Sequence, residues 1–364
     1  PKLHPFVFKE LQHATDLLCD GVCKDLKSNL AKFLHPSLCP LLILLSRLKP
    51  STICSEHGDV LDPFLFLPFI RKCSKQNNMR IRVLASKALT CLVSNEKLPL
   101  VLHNITSELS LRQISVSSPN QRVSFNSIHG ILLQLTSLVD VNLRNLSDIS
   151  KRDKILTDLT EVFSNLSWIC TPKLCPCPTL NAAFLKMLDH ILSVLRTGQK
   201  NKTCHTTRHL VSNLSAQCLD MELSFGLLHY DPSIIEARKQ AAMSYFNCVL
   251  YLPKESEDLS LSFAEKKPDI AQYVPGLIDR LVRSVSDPYY EVRLAALKWL
   301  HRFVNLPELF TGDNPNQGNE IDLIVQWMNP SFHSLMMKLL DKENHHKCVN
   351  YILKILFRWC IILS

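Results

Sequence analysis

Glycine is scarce in this chain, with 8 among 364 residues, roughly a third of ordinary usage. Tight hairpin turns and phosphate-cradling loops both need glycine for backbone with positive φ. A strand-rich fold and a nucleotide-binding βα loop are therefore disfavoured. There is no G-x-G-x-x-G and no G-x-x-x-x-G-K-[ST], and the closest pair, Gly312 and Gly318, is followed by Asn319 and Glu320. A dinucleotide, ATP or S-adenosylmethionine has no Gly-rich cradle here, so no cofactor is expected. Nucleophile elbows are absent too, as is any sustained period-two alternation. The apolar runs Leu41 to Leu45 and Phe64 to Ile70 are far shorter than the ~18 residues a membrane-spanning helix needs.

Cysteine is plentiful, at 14 residues, but scattered. Cys19, Cys73, Cys91, Cys248 and Cys348 sit inside apolar helical stretches, where a thiol serves as a small hydrophobe. That usage points to a reducing, cytoplasmic setting. Asn-x-Ser/Thr triplets at Asn104, Asn145, Asn165, Asn201 and Asn213 point the other way, yet no signal peptide is visible, although Pro1 is not a natural start and a targeting segment could have been removed. One metal candidate is Cys170, Cys175 and Cys177 with Cys204, His205 and His209. Zinc knuckles favour C-x₂₋₄-C, whereas Pro176 stiffens the Cys175–Cys177 pair, so a Pro-rich interhelical loop is the reading and no metal is expected. His345 and His346 near Cys348 read as an exposed helix start after Lys342-Glu343-Asn344.

What is abundant is helical repetition. Ile81, Leu84, Ala85, Ala88, Leu89 and Leu92 fall at i, i+3, i+4, i+7, i+8 and i+11, the buried face of a packed helix. Val292, Ala295, Ala296, Trp299, Leu300 and Phe303 occupy the same offsets. Ala237, Ala241, Tyr245 and Cys248 keep four of them, as do Phe125, Ile128, Leu132 and Leu133. Asp231-Pro232 and Asp287-Pro288 each offer an N-cap followed by a proline at the first helical position. Phe64 to Cys73, ahead of the turn Ser74 to Asn78, and Ile270 to Val285 read as the preceding helices. The pairs resemble HEAT repeats, in which Ala85, Ala241 and Ala296 let helices approach closely. In such repeats Arg82 and Arg293 would pair with acidic or amide groups of a neighbouring turn.

Phe6 to Leu34, Asp153 to Ile169, Thr179 to Leu195 and Ile321 to Leu340 also have helical periodicity. The expectation is an all-α, HEAT/armadillo-like helical repeat solenoid, one fragment over residues 1–364. Repeats are recognisable near 62–95, 120–140, 231–252 and 270–305, with loops near 171–178, 197–207, 253–268 and 311–319. The last residues, Tyr351 to Leu356 and Ile361 to Leu363, are too apolar for a solvated cap, so more chain or a partner is expected to cover them.

Charge is segregated within a formal net of +8. Between 71 and 97, Arg71, Lys72, Lys75, Arg80, Arg82, Lys87 and Lys97 oppose only Glu96, and further on Lys186, Arg196, Lys200, Lys202 and Arg208 oppose only Asp189. Such clusters suit a phosphate backbone, read through counterion release rather than base identity. Solvated helix faces explain the same pattern. Stacking aromatics do not interleave with these basics, which disfavours a base-reading single-strand site.

Four segments together resemble one family. They are Asp62-Pro63-Phe64 through Cys73; Arg80 to Leu89; Asn126-x-x-His129-Gly130-x-Leu132-Leu133-Gln134; and Glu343-Asn344-His345 with Ile352 to Leu356. Their order and spacing are similar to the thyroid adenoma-associated protein (THADA) family, in its C-terminal half. The resemblance implies a non-enzymatic HEAT/armadillo scaffold that partners an FtsJ-like ribose 2′-O-methyltransferase acting on the tRNA anticodon loop, with no membrane association. The family's Arg-rich central motif is not in this chain. Gly130 costs about 1 kcal/mol within a helix relative to alanine; close packing or a partner contact would account for it. A protein–protein adaptor without RNA contact remains the alternative.

Overall fold

Helix boundaries are written in short polar residues. Asn78 Oδ1 accepts from the backbone N–H groups of Arg80 and Ile81, Ser124 Oγ from Ser127, Asp148 Oδ1 from Lys151 and Asp231 Oδ1 from Ser233. Each meets amide donors that the first helical turn leaves unpaired. In the computed structural model the described residues are 3–16, 18, 35–48, 62–116, 124–196, 202–221, 231–249, 274–305 and 320–363. Among them are fourteen α-helices and no strand: α1 (Leu3–Asp16), α2 (Leu38–Leu45), α3 (Leu67–Cys73), α4 (Met79–Leu92), α5 (Leu98–Val116), α6 (Phe125–Leu138), α7 (Ile149–Asn165), α8 (Pro178–Arg196), α9 (Lys202–Asp220), α10 (Pro232–Val249), α11 (Val274–Val285), α12 (Tyr290–Val304), α13 (Glu320–Lys342) and α14 (His346–Leu363). The chain is an all-α helical repeat protein.

It divides into two compact units, residues 1–169 with 186–207, and residues 170–185 with 208–364. In the first, α2, α4 and α6 pack side by side, while α1 with α3, and α5 with α7, make a second layer. Ile81, Ala85, Ala88 and Leu89 of α4 are all fully buried. In the second unit α10, α12 and α14 stack in the same way, with α11 and α13 behind them. Ala241 and Ala296 have no exposed surface, and Trp299, Phe246 and Phe303 fill the space beside them. Ring centroids of Trp299 lie 5.4 Å from Phe246 and 5.7 Å from Phe303. Six apolar offsets were expected at each of α4 and α12; five are buried in each, and Leu84 and Ala295, at the same offset, are half-buried.

Three expectations need correction. Phe125 is exposed, and the buried stripe of α6 is Ile128, Ile131, Leu132, Leu135 and Leu138, one turn out of the expected frame. Asp287-Pro288 does not start α12. The helix begins at Tyr290, because the Asp287 carboxylate accepts from Tyr289 N–H and is also held by Arg238. Residues 202–207, read as loop, open α9; the rest of that loop and the loops at 253–268 and 311–319 lie outside the described residues. No described helix is long and apolar enough to cross a membrane.

A widened turn at Val139–Leu143 ends α6. It carries the buried Asn142 amide to the carbonyls of Thr90 (3.0 Å) and Val93 (3.1 Å), which α4 leaves unpaired at its C-terminus.

Candidate functional site

An arginine near the start of the second helix in a pair locks one repeat to the next. Arg82 donates through Nη1 to the carbonyls of Gln76 (2.6 Å) and Asn77 (2.8 Å), and through Nε to His129 Nδ1 (3.2 Å). Arg293 repeats that register: Nη1 reaches the carbonyls of Asp287 and Pro288, and Nε and Nη2 each lie 2.7 Å from the Glu343 carboxylate. Arg238 reaches Asp287 at 2.7 Å. A planar guanidinium has five donors in a fixed fork, so it can close a turn and clamp the next repeat at once.

Electrostatics follow from this geometry. Burial, helped by the neighbouring Arg82 charge, pushes His129 down to about 4, so at neutral pH it is the uncharged acceptor that Arg82 requires. Burial pushes the Glu343 carboxyl up, but the hydrogen bonds from Arg293 and from the backbone of His345 outweigh it and hold the group below its usual range. Asn126 Nδ2 donates to Asn77 Oδ1 at 2.9 Å. A β-carbon at Gly130 would lie 1.7 Å from the Ser74 carbonyl oxygen. Asn126, His129 and Gly130 thus all face one turn of the preceding helix pair, and the glycine lets backbone meet backbone.

The basic clusters are less bare than their sequence. Glu108, on α5, is ion-paired with both Arg71 and Lys75, the latter at 2.9 Å, and Asp62 lies 2.6 Å from Lys97. Arg82 is 5% exposed. Lys72 is half-buried, whereas Arg80 and Lys87 stand exposed. Of the second cluster, Lys186 and Lys202 are exposed and Arg196 half-buried, while Lys200 lies outside the described residues. Arg208 Nε donates to the Cys248 carbonyl at 2.8 Å, a packing role within its unit.

The Cys and His candidates do not converge on a metal. Among the described residues no group of three or more His, Cys, Asp or Glu side chains could hold an ion. Cys170 lies 3.8 Å from Cys218 rather than with Cys177. Burial pushes the Cys73 thiol up to about 12 and Cys348 up to about 11, so both stay protonated and poorly nucleophilic at neutral pH. His345 stacks on Tyr290 with ring centroids 3.7 Å apart, at the start of α14.

Sequence reasoning missed a groove of about 710 Å³ across α10, α12 and α14. Lys239, Lys298, Arg302 and Lys347 line it with Glu291, Tyr290 and Tyr351. Lys239, Lys298 and Lys347 come from three different helices, so no local run of the sequence carried a signal for it.

Residues 1–138 match a family model described as Trm732, C-terminal TPR repeats. Curated relatives named "tRNA (32-2′-O)-methyltransferase regulator THADA" match along the chain. The Gallus gallus protein is 24% identical over 369 residues, covering 98% of this chain and 17% of the relative. The Mus musculus protein is 25% identical over 98% of the chain, and the Canis lupus familiaris protein is 30% identical over 139 residues. The chain spans about a sixth of the length of the first relatives (17%). Beside the inter-repeat locks made by Arg82, Asn126, His129 and Gly130, these matches show that the chain is similar over nearly its whole length to proteins named THADA, and over residues 1–138 to the Trm732 C-terminal repeats.

Proposed function

We propose that this chain is part of a non-catalytic helical-repeat scaffold that partners an FtsJ-like methyltransferase for ribose 2′-O-methylation in the tRNA anticodon loop. The observation that carries this reading is similarity, over 98% of the chain, to proteins named as regulators of a tRNA 2′-O-methyltransferase. A scaffold contributes by holding two reactants in register, where proximity effects are large. The partner brings the methyl donor and the group that activates the ribose hydroxyl. The exposed cations Arg80, Lys87, Lys186 and Lys202, with the half-buried Lys72, are suited to phosphate contacts. Arg71 and Lys75 are less so, since Glu108 already neutralises part of their charge.

A second reading, a protein–protein adaptor with no RNA contact, draws support from α14. Leu353, Phe357 and Ile361 recur every fourth residue and are 49%, 71% and 42% exposed, a stripe suited to an apolar partner. Affinity purification of the full-length protein, scoring tRNA and methyltransferase together, separates the two. Recovery of both supports the scaffold. Recovery of protein partners without tRNA, unaffected by reversal of Lys72, Arg80 and Lys87, supports the adaptor.

A further inference from the structure

The groove across α10, α12 and α14 has the wrong composition for an apolar docking site. Four cations face it against one carboxylate, Glu291. Lys239 is partly satisfied by Glu236 at 2.6 Å on its own helix, and Arg302 donates to Asn247 Oδ1 at 2.7 Å. Lys298 and Lys347 are exposed and have no acidic side chain within ion-pair distance among the described residues. Two like charges held on adjacent helices repel unless an anion lies between them. They cost the fold less if a polyanion occupies the groove.

The aromatic residues decide what kind of anion it is. Tyr290 is already stacked on His345 at 3.7 Å. Tyr351 carries Lys354 over its ring at 5.5 Å and meets the His301 edge at 5.4 Å. Neither ring is presented as an open platform for a base. Instead both rings of the groove wall are engaged by side chains of their own helices and neighbours. Charge without base stacking is the signature of sugar–phosphate recognition that ignores base identity.

The cations of the groove come from three successive helices, Lys239 from α10, Lys298 and Arg302 from α12, and Lys347 from α14. Packed helices lie about 8–10 Å apart, so cations on three successive helices span roughly 20 Å, enough for several consecutive phosphates.

We infer that the α10–α12–α14 groove, through Lys239, Lys298, Arg302 and Lys347, is a sequence-independent binding site for an RNA phosphate backbone. This rests on the tRNA scaffold reading and deepens it, because it names a site that neither charge cluster in the sequence contained.

The test is tRNA binding by the full-length protein, followed by fluorescence anisotropy across a salt series. Three forms are compared: wild type, Lys298→Gln with Lys347→Gln, and Lys72→Gln with Lys87→Gln. Each phosphate contact contributes about 0.7–0.9 to the slope of log affinity against log salt. Loss of two contacts should flatten the slope by about 1.5 and weaken binding about 30-fold near 0.1 M salt, for any tRNA. Circular dichroism should be unchanged, since both lysines are exposed. If the groove variant keeps wild-type slope and affinity while the Lys72/Lys87 variant loses them, the groove is refuted and the tRNA reading survives. If the wild type binds no tRNA at low salt, the scaffold reading fails and takes this site with it. If the groove variant keeps tRNA but loses the methyltransferase, the groove is a protein surface and the inference is overturned.

Discussion

Replacing Gly130 with alanine tests the tightest contact between repeats. The new β-carbon would lie 1.7 Å from the Ser74 carbonyl oxygen and 2.8 Å from its carbon. Both are backbone atoms, so no side-chain rotation relieves the overlap. Helix α6 has to retreat from the α3–α4 turn by more than an ångström, which opens the Arg82–His129 bond at 3.2 Å and the Asn126–Asn77 bond at 2.9 Å. Alanine gains about 1 kcal/mol of helix propensity. Against that, overpacking costs about 1–3 kcal/mol, and losing a buried hydrogen bond from a charged donor costs about 1.5–3 kcal/mol. The net loss is about 3 kcal/mol. In a unit formed by residues 1–169 and 186–207, each kcal/mol moves the melting temperature by about 2–4 °C, so Gly130→Ala should melt about 6–12 °C lower. Gly276→Ala is the control. There the β-carbon meets Arg280 Nη1 at 2.9 Å and Tyr245 Oη at 3.5 Å, and the Arg280 end can swing away. Thermal unfolding followed by circular dichroism should show Gly276→Ala unchanged or more stable. Should Gly130→Ala melt at or above the wild type, the close-approach explanation of this glycine is wrong.

Other outcomes follow from the same contacts. His129 has a folded value depressed from 6.5 to about 4, so its contribution is intact above the unfolded value and is lost as pH falls from about 6.5 towards 4, for a total near ~3 kcal/mol; denaturant midpoints at neutral and acid pH should converge for His129→Asn more than for wild type. Glu343, 4% exposed as a side chain, leaves Arg293 without its carboxylate when changed to alanine; Glu343→Ala should cost about 3–5 kcal/mol, and a double-mutant cycle with Arg293→Ala should show strong coupling. Gln134 is fully buried and neither its Oε1 nor its Nε2 meets a protein partner, so Gln134→Leu should stabilise its unit by about 1 kcal/mol, read as a higher denaturant midpoint without a change in slope.

The α4 and α12 stripes were legible because local burial sets their period: Ile81 and Val292, Ala85 and Ala296, Leu89 and Leu300 occupy matched buried positions. The α6 stripe was read in the wrong frame, since Phe125 is apolar yet points to solvent at the first turn of its helix. Long-range polar partners were not legible at all. Asp287 looks like an N-cap in sequence, but Arg238, 49 residues earlier, claims its carboxylate. Glu108 lies outside the window in which Arg71 and Lys75 were counted, and only the packing of α5 beside α3 brings it to them. Helix-by-helix charge counting cannot see a counterion delivered from the neighbouring helix. The groove on α10, α12 and α14 went unread for a related reason: its lysines are 59 and 49 residues apart, from Lys239 to Lys298 and from Lys298 to Lys347, so no local cluster announces them.

The most direct measurement is ribose methylation of the tRNA anticodon loop in a reconstituted reaction with labelled S-adenosylmethionine. The full-length protein, the FtsJ-like methyltransferase and the two together are compared. A scaffold that supplies position and leaves chemistry to its partner gives no transfer alone, no retention of S-adenosylmethionine, and a large rise in rate when combined with the methyltransferase. Methyl transfer by the full-length protein alone, or undiminished modification in cells that lack it, would contradict that role.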